Sequence, residues 1–136
     1  MGNLDRSCVI ALAEAKARIP GPRGEHAVMI LQRGTLDVAL SVPLVPKPQT
    51  PHVQDEIYFI VRGGGVLLHD GKRNPFGPGD LLFVAAGIEH QFEDITQDLA
   101  LWRVFYGPPR WRDTSVSRGP DPAETELMQL RATSLS

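Results

Sequence analysis

The stretch His52-Val53-Gln54-Asp55-Glu56-Ile57-Tyr58-Phe59-Ile60-Val61-Arg62-Gly63 reads as the strongest strand of the chain, rich in β-branched and aromatic residues. It predicts a strand over residues 52–61, ended by Gly63, Gly64 and Gly65. Side chains alternate along a strand, so His52, Gln54, Glu56 and Tyr58 project from one face. An imidazole, an amide, a carboxylate and a phenol then stand in one row among apolar neighbours. Taken alone, the row also fits an outward, solvated face of a sheet whose other face is core.

Working outward, further strands are separated by tight turns. Residues 27–31 form a short apolar run broken by Gly34, and Leu36, Val38, Leu40 and Val42 follow at strict alternation. Pro43, Pro46, Pro48 and Pro51 make residues 44–50 a loop or an edge. After the glycine turn come residues 66–69, the hairpin signal Asp70-Gly71, the turn Gly77-Pro78-Gly79-Asp80, and strands over 81–84, 90–95 and 99–106. The 13 Gly and 12 Pro in 136 residues exceed the roughly 12% of average usage and argue against a helical bundle. Turns every 8 to 12 residues without helices between them point to an antiparallel sandwich or barrel. The one helical pattern lies at the start, over residues 4–18, where Leu4, Cys8, Leu12 and Ala15 share a face and Pro20-Gly21 ends it. On it Cys8 is expected to be buried. The tail beyond Pro109 reads as irregular, with helical turns at 124–131.

A second block, Gly79-Asp80-Leu81-Leu82-Phe83-Val84-Ala85-Ala86-Gly87-Ile88-Glu89-His90, places a His eleven residues after one Gly and three after another. In the first block Gly63 stands seven after Glu56. Together the two blocks resemble the paired signature motifs of the cupin superfamily, and the chain is similar to small single-domain members of the cupin 2 conserved-barrel type. The likeness covers about residues 25–107. It implies an all-β fold, an antiparallel double-stranded β-helix or jelly-roll barrel, here preceded by a short N-terminal helix. The organisation it suggests is a helix and linker over 1–24, the barrel over 25–107 and a tail over 108–136.

The resemblance also implies a site. His52 matches the second His of the first motif, Glu56 its Glu, and His90 the His of the second motif; in metal-binding cupins these positions are ligands. Thr50 stands where the first motif His belongs, Ala85 replaces the motif Pro and Asp94 the terminal Asn. Two His and one carboxylate still form a recognised three-ligand set, and Gln54, on the same face of the expected strand, is a candidate fourth donor. Ligands from two antiparallel strands about 5 Å apart can converge on one ion, and Fe, Zn, Ni or Mn would accept this set. Tyr58 is a candidate general acid or substrate contact. Arg33 and Arg103 would bind an anionic substrate if they pointed inward, but the reading places both on the surface. His26 and His69 are assigned to surface or structure, and Trp102, Phe105 and Tyr106 to core or a dimer contact.

Charge and cysteine content narrow the setting. Fourteen Lys and Arg against 16 Asp and Glu, with no basic block, speak against a nucleic-acid partner. The single Cys8 excludes an intrachain disulfide and a cysteine-rich zinc site. No apolar run approaches the length of a membrane span and no leader is evident, so a soluble cytoplasmic protein without membrane partners is expected. The likeness further suggests a homodimer with a small-molecule ligand or substrate. Two functions follow: a metal-dependent enzyme of dioxygenase, isomerase or lyase type, or a non-catalytic cupin that binds or senses a sugar or small acid.

Overall fold

The computed structural model describes residues 7–45, 48–49 and 52–109. Among them one helix, α1 (Leu12–Lys16), precedes nine strands: β1 (Ala27–Arg33), β2 (Leu36–Ser41), β3 (Pro48–Gln49), β4 (Asp55–Arg62), β5 (Gly65–His69), β6 (Lys72–Phe76), β7 (Leu81–Val84), β8 (His90–Glu93) and β9 (Ala100–Tyr106). They form a five-stranded sheet in the order β1-β2-β9-β4-β7 and a four-stranded sheet in the order β3-β8-β5-β6. Every pairing is antiparallel. This is an all-β, antiparallel barrel, within the sandwich-or-barrel class that the turn spacing predicts and consistent with the jelly-roll that the cupin resemblance implies. Both outer strands of the smaller sheet contain proline, Pro48 in β3 and Pro75 in β6. An edge strand tolerates the missing N–H, which a central strand would not.

Register decides which side chains enter the barrel. Opposite residues share a face, so Glu56 with Phe105, Tyr58 with Arg103 and Ile60 with Leu101 line the interior in successive layers. The main core joins Tyr58, Ile60, Val84, Leu99 and Leu101 to Leu67, Phe76 and Phe92 of the facing sheet side. Phe92 bridges the aromatics, with its ring 5.0 Å from Tyr58 and 5.4 Å from Phe76. A second cluster forms around Ala15, Ile30 and Leu40, with Ile10, Leu12, Ile19, Val28 and Trp102 against it. Leu40 is fully buried there, which contributes about 1.5–3 kcal/mol by area burial. The larger sheet is therefore apolar on both faces over β2 and β9, and the N-terminal segment covers the outer one.

The N-terminal helix is shorter than its pattern suggests. Residues 7–11 are not helical, Ala11 offers no side-chain cap, and only 12–16 close into turns; the first part of the expected stretch, and the expected turns at 124–131, lie outside the described residues. Five residues cannot hold a helix by propensity alone, so α1 depends on packing Ala15 and Leu12 against the sheet. The helical stripe does not extend back to Cys8, and the thiol is exposed rather than buried.

Turn chemistry closes the barrel. Gly63 has φ +74°, and a Cβ there would stand 2.6 Å from the Leu99 Cα and 2.5 Å from Thr96 Oγ1. Gly71, in the β5–β6 hairpin, has φ +72° but open space around it. Gly63→Ala should therefore cost about 2–4 kcal/mol, strain plus backbone clash, and Gly71→Ala about 1 kcal/mol from conformation alone. Urea unfolding of the two variants measures both; equal losses would show that the Leu99 contact is absorbed without cost.

Candidate metal centre

The carboxylate of Glu56 occupies the barrel interior because β4 is regular there: Glu56, Tyr58 and Ile60 alternate inward and are buried. The strand begins at Asp55, not at residue 52, so the expected row of four breaks after two. His52 and Gln54 precede it in bent chain. What brings His52 to Glu56 is instead the β7–β8 turn. The Gly87 N–H donates to the His52 carbonyl at 2.7 Å, and the Ala86 N–H donates to Asp55 Oδ1 at 3.0 Å. The Phe105 ring holds the His52 imidazole from the side, edge-on at 4.7 Å. That same turn delivers His90 at the first position of β8, so the two sequence blocks are fastened together by backbone.

Three side chains thus converge. One ligand atom from each of His52, Glu56 and His90 lies within 4.8 Å of the others. Glu56 Oε1 is 3.1 Å from His90 Nε2, and Glu56 Oε2 is 3.8 Å from His52 Nε2. Donors bound at about 2.1 Å to one ion stand roughly 3–3.5 Å apart, so the set fits with small side-chain rotations. His90 Nδ1 lies 3.0 Å from the Ile88 carbonyl. A carbonyl only accepts, so Nδ1 carries hydrogen and Nε2 is turned toward Glu56, the orientation found behind metal-ligating histidines. The decisive observation concerns what is left over. His52 Nε2 and Glu56 Oε2 are buried with no hydrogen-bond partner among the described residues. Unpartnered buried polar atoms cost about 1–3 kcal/mol each, and a cation between these two would satisfy both.

Tyr58 completes the group. Its hydroxyl donates to Glu56 Oε1 at 2.5 Å and lies 3.1 Å from His90 Nε2. Burial first, then the charge and hydrogen bond of Glu56, push its pKa far above the ordinary phenol range. The phenol therefore stays protonated and props the carboxylate.

Gln54 is turned to another task. Its amide nitrogen donates to the Gly107 carbonyl at 2.9 Å and the Thr35 carbonyl at 3.2 Å. These acceptors lie beyond the ends of β9 and β1, where no ladder partner is available, and they draw the side chain to the strand ends. None of its described contacts is to His52, Glu56 or His90. Gln54→Ala should leave metal content unchanged while lowering stability by about 1–2 kcal/mol, read by elemental analysis and thermal unfolding.

Arg103 is the clearest departure from expectation. It pairs with Tyr58 on the inner face of β9, half-buried, with Cζ 5.3 Å from the Phe105 ring centre. Arg33 is exposed at the end of β1, and His26 is exposed. His69 bonds Asn74 at 2.7 Å within the β5–β6 hairpin. Trp102 packs in the outer cluster, whereas Tyr106 is exposed. Thr50 lies outside the described residues. Sequence reading missed Asp55 and Phe105 as positioning residues; an Asp at the start of a strand carries no signal of its own, and only the fold shows which turn it holds.

Comparison with known proteins bears on the fold. Residues 43–106 match the Cupin_2 family, the cupin domain. An uncharacterised protein of Streptomyces coelicolor is 37% identical over 60 residues, which cover 44% of this chain and 57% of that protein; the match thus spans little more than half of its length. The fold is similar to a cupin 2 conserved barrel domain protein of Salinispora arenicola, with a TM-score of 0.57, 18% identity and coverage of 93% of this chain and 99% of the other. It is also similar to a cupin-2 domain containing protein of Shewanella frigidimarina, at TM-score 0.60 and 14% identity, covering 75% and 95%. Residues 43–106 thus match a cupin domain, and the fold is similar to that of small cupin barrel proteins.

The two histidines should titrate apart when the chelated protein is followed by imidazole NMR. Burial disfavours the charged His90 ring, but hydrogen bonds to Glu56 and the Ile88 carbonyl and the Glu56 charge outweigh it, raising its pKa above 6.5. Burial lowers that of His52, with Glu56 opposing and His90 and Arg103 adding repulsion. As pH falls, His90 should gain its proton first. The reverse order would contradict the geometry.

Proposed function

We propose that this cupin is a metal-dependent enzyme acting on a small molecule, with His52, Glu56 and His90 as ligands of one divalent transition metal. The observation that carries the reading is the pair of buried, unpartnered donors, His52 Nε2 and Glu56 Oε2, facing each other beside His90. Imidazole and carboxylate together suit Fe, Zn, Ni or Mn. When bound, such an ion supplies Lewis acidity toward a substrate oxygen or activates water or O2. Three protein donors leave coordination positions free for substrate, the hallmark of catalytic rather than structural sites. The chain's own part is to hold the donors: Ile88 orients His90, the β7–β8 turn orients His52, and Tyr58 fixes the Glu56 carboxylate. In support, a cupin-like fold solved as Fe(II) HppE in complex with substrate aligns with 59% of this chain at TM-score 0.53 and 16% identity. That likeness is of fold, and the metal reading rests on the donors themselves.

One observation favours a second reading, a non-catalytic cupin that binds a sugar or small acid. Glu56 Oε1 already meets Tyr58 and His90 without any ion, so half of the carboxylate is satisfied by protein alone. Elemental analysis separates the two. Protein purified without chelator should carry close to one equivalent of transition metal, and His90→Ala or Glu56→Ala should lower this at least tenfold. Tyr58→Phe should keep the metal and lose about 1–2 kcal/mol of stability. Less than a tenth of an equivalent in the wild type, before and after incubation with Fe(II), Zn(II), Ni(II) and Mn(II), would leave only the binding-module reading.

A further inference from the structure

A cavity of about 490 Å³ opens between the start of β1, the end of β2 and the β8 side of the smaller sheet. Its volume lies in the range that encloses small molecules. Pro43, Leu44, Val45, Phe92 and Ile95 give it an apolar wall, and Arg103 reaches into it. A narrower recess of about 40 Å³ shares Ser41, Pro43, Phe92 and Arg103 with that cavity and is also lined by Tyr58, whose hydroxyl touches Glu56 and His90.

The guanidinium keeps an unpartnered donor among the described residues. Arg103 Nε is buried without a hydrogen-bond partner, and among the described residues no carboxylate stands within ion-pair distance of it. Its described contact is the Phe105 ring, which does not consume that N–H. Glu25, at the cavity rim, is exposed, and its carboxylate lies over Gly21. A planar guanidinium fork with an unpartnered N–H matches a carboxylate in bidentate fashion. A single cation balances one negative charge, which favours a carboxylate over a phosphate dianion.

We infer that the cavity binds a small organic monocarboxylate with a mainly apolar body, its carboxylate held by Arg103 and its body against Phe92, Ile95 and Leu44. This deepens the proposal above by naming the substrate class, and rests on it only in taking the bound molecule as the substrate. Tyr58 links the two sites, lining the recess and bonding Glu56 and His90 with its hydroxyl.

Titration calorimetry with phenylacetate, its neutral isostere phenylacetamide and phenyl phosphate tests the assignment on the full chain as purified. Phenylacetate should bind at least tenfold more tightly than the amide and more tightly than the phosphate. Arg103→Gln should weaken phenylacetate at least tenfold, and Arg103→Lys by less, with both variants checked for wild-type unfolding temperature and metal content. Equal binding of acid and amide, or binding unaffected in Arg103→Gln, would overturn the inference, as would the absence of binding at millimolar concentration. Tighter phenyl phosphate would replace the carboxylate by a phosphate ester and overturn the class. His90→Ala distinguishes the two proposals. Carboxylate binding lost there but kept in Arg103→Gln would locate the anion on the metal, overturning this inference and leaving the metal reading intact. Arg103-dependent binding by a wild-type protein devoid of metal would do the opposite.

Discussion

A carboxylate sealed inside a β-barrel is costly, and much of this structure is arranged around one. Glu56 is 1% exposed, and an isolated buried carboxylate would take up a proton rather than pay its desolvation. Here one oxygen is met by the Tyr58 hydroxyl and the His90 ring, and the other faces His52 across 3.8 Å. The polar group survives in an otherwise apolar interior only because three neighbours come from different parts of the chain. Each neighbour is itself fixed by a backbone contact or by packing.

The fastening between those parts is short. Gly87 and Ala86 donate to His52 and Asp55, so the turn before His90 lies against the segment before β4. A shift of one residue in β8 would turn His90 to the other face, since side chains on a strand reverse face at every position. The two apolar clusters keep the scaffold rigid on both sides. The inner one packs the barrel, and the outer one ties α1 and Trp102 to the back of β2 and β9.

Metal centre and anion cavity are neighbours through Tyr58 and Phe105. Tyr58 touches Glu56 and His90 with its hydroxyl and borders the recess below Arg103. Phe105 sits between the His52 ring and the Arg103 guanidinium. Two aromatic residues thus separate a cation-seeking group from a fixed cation. Their charges would otherwise meet directly, and the arrangement keeps both available to outside partners.

The strands, their turns and the spacing of Glu56 and His90 could be read from the chain alone, because alternation and glycine positions are local consequences of backbone geometry. Those local rules reach an antiparallel sandwich or barrel, and the jelly-roll comes from the resemblance of the two blocks to the cupin motifs. Three features could not be read that way. Alternation assumes a strand, and the chain bends at 52–54, so Gln54 goes to the Thr35 and Gly107 carbonyls while a backbone bond rather than a shared face places His52. The helical stripe through Cys8 assumes a helix that forms only over α1, where the sheet supports it. Arg103 lies in β9, whose Trp102 and Val104 on one side and Leu101 and Phe105 on the other are equally apolar. Sequence therefore set the alternation but not which face is inside. Only the packing of α1 against Trp102 decides that, and with it whether the guanidinium meets water or the barrel.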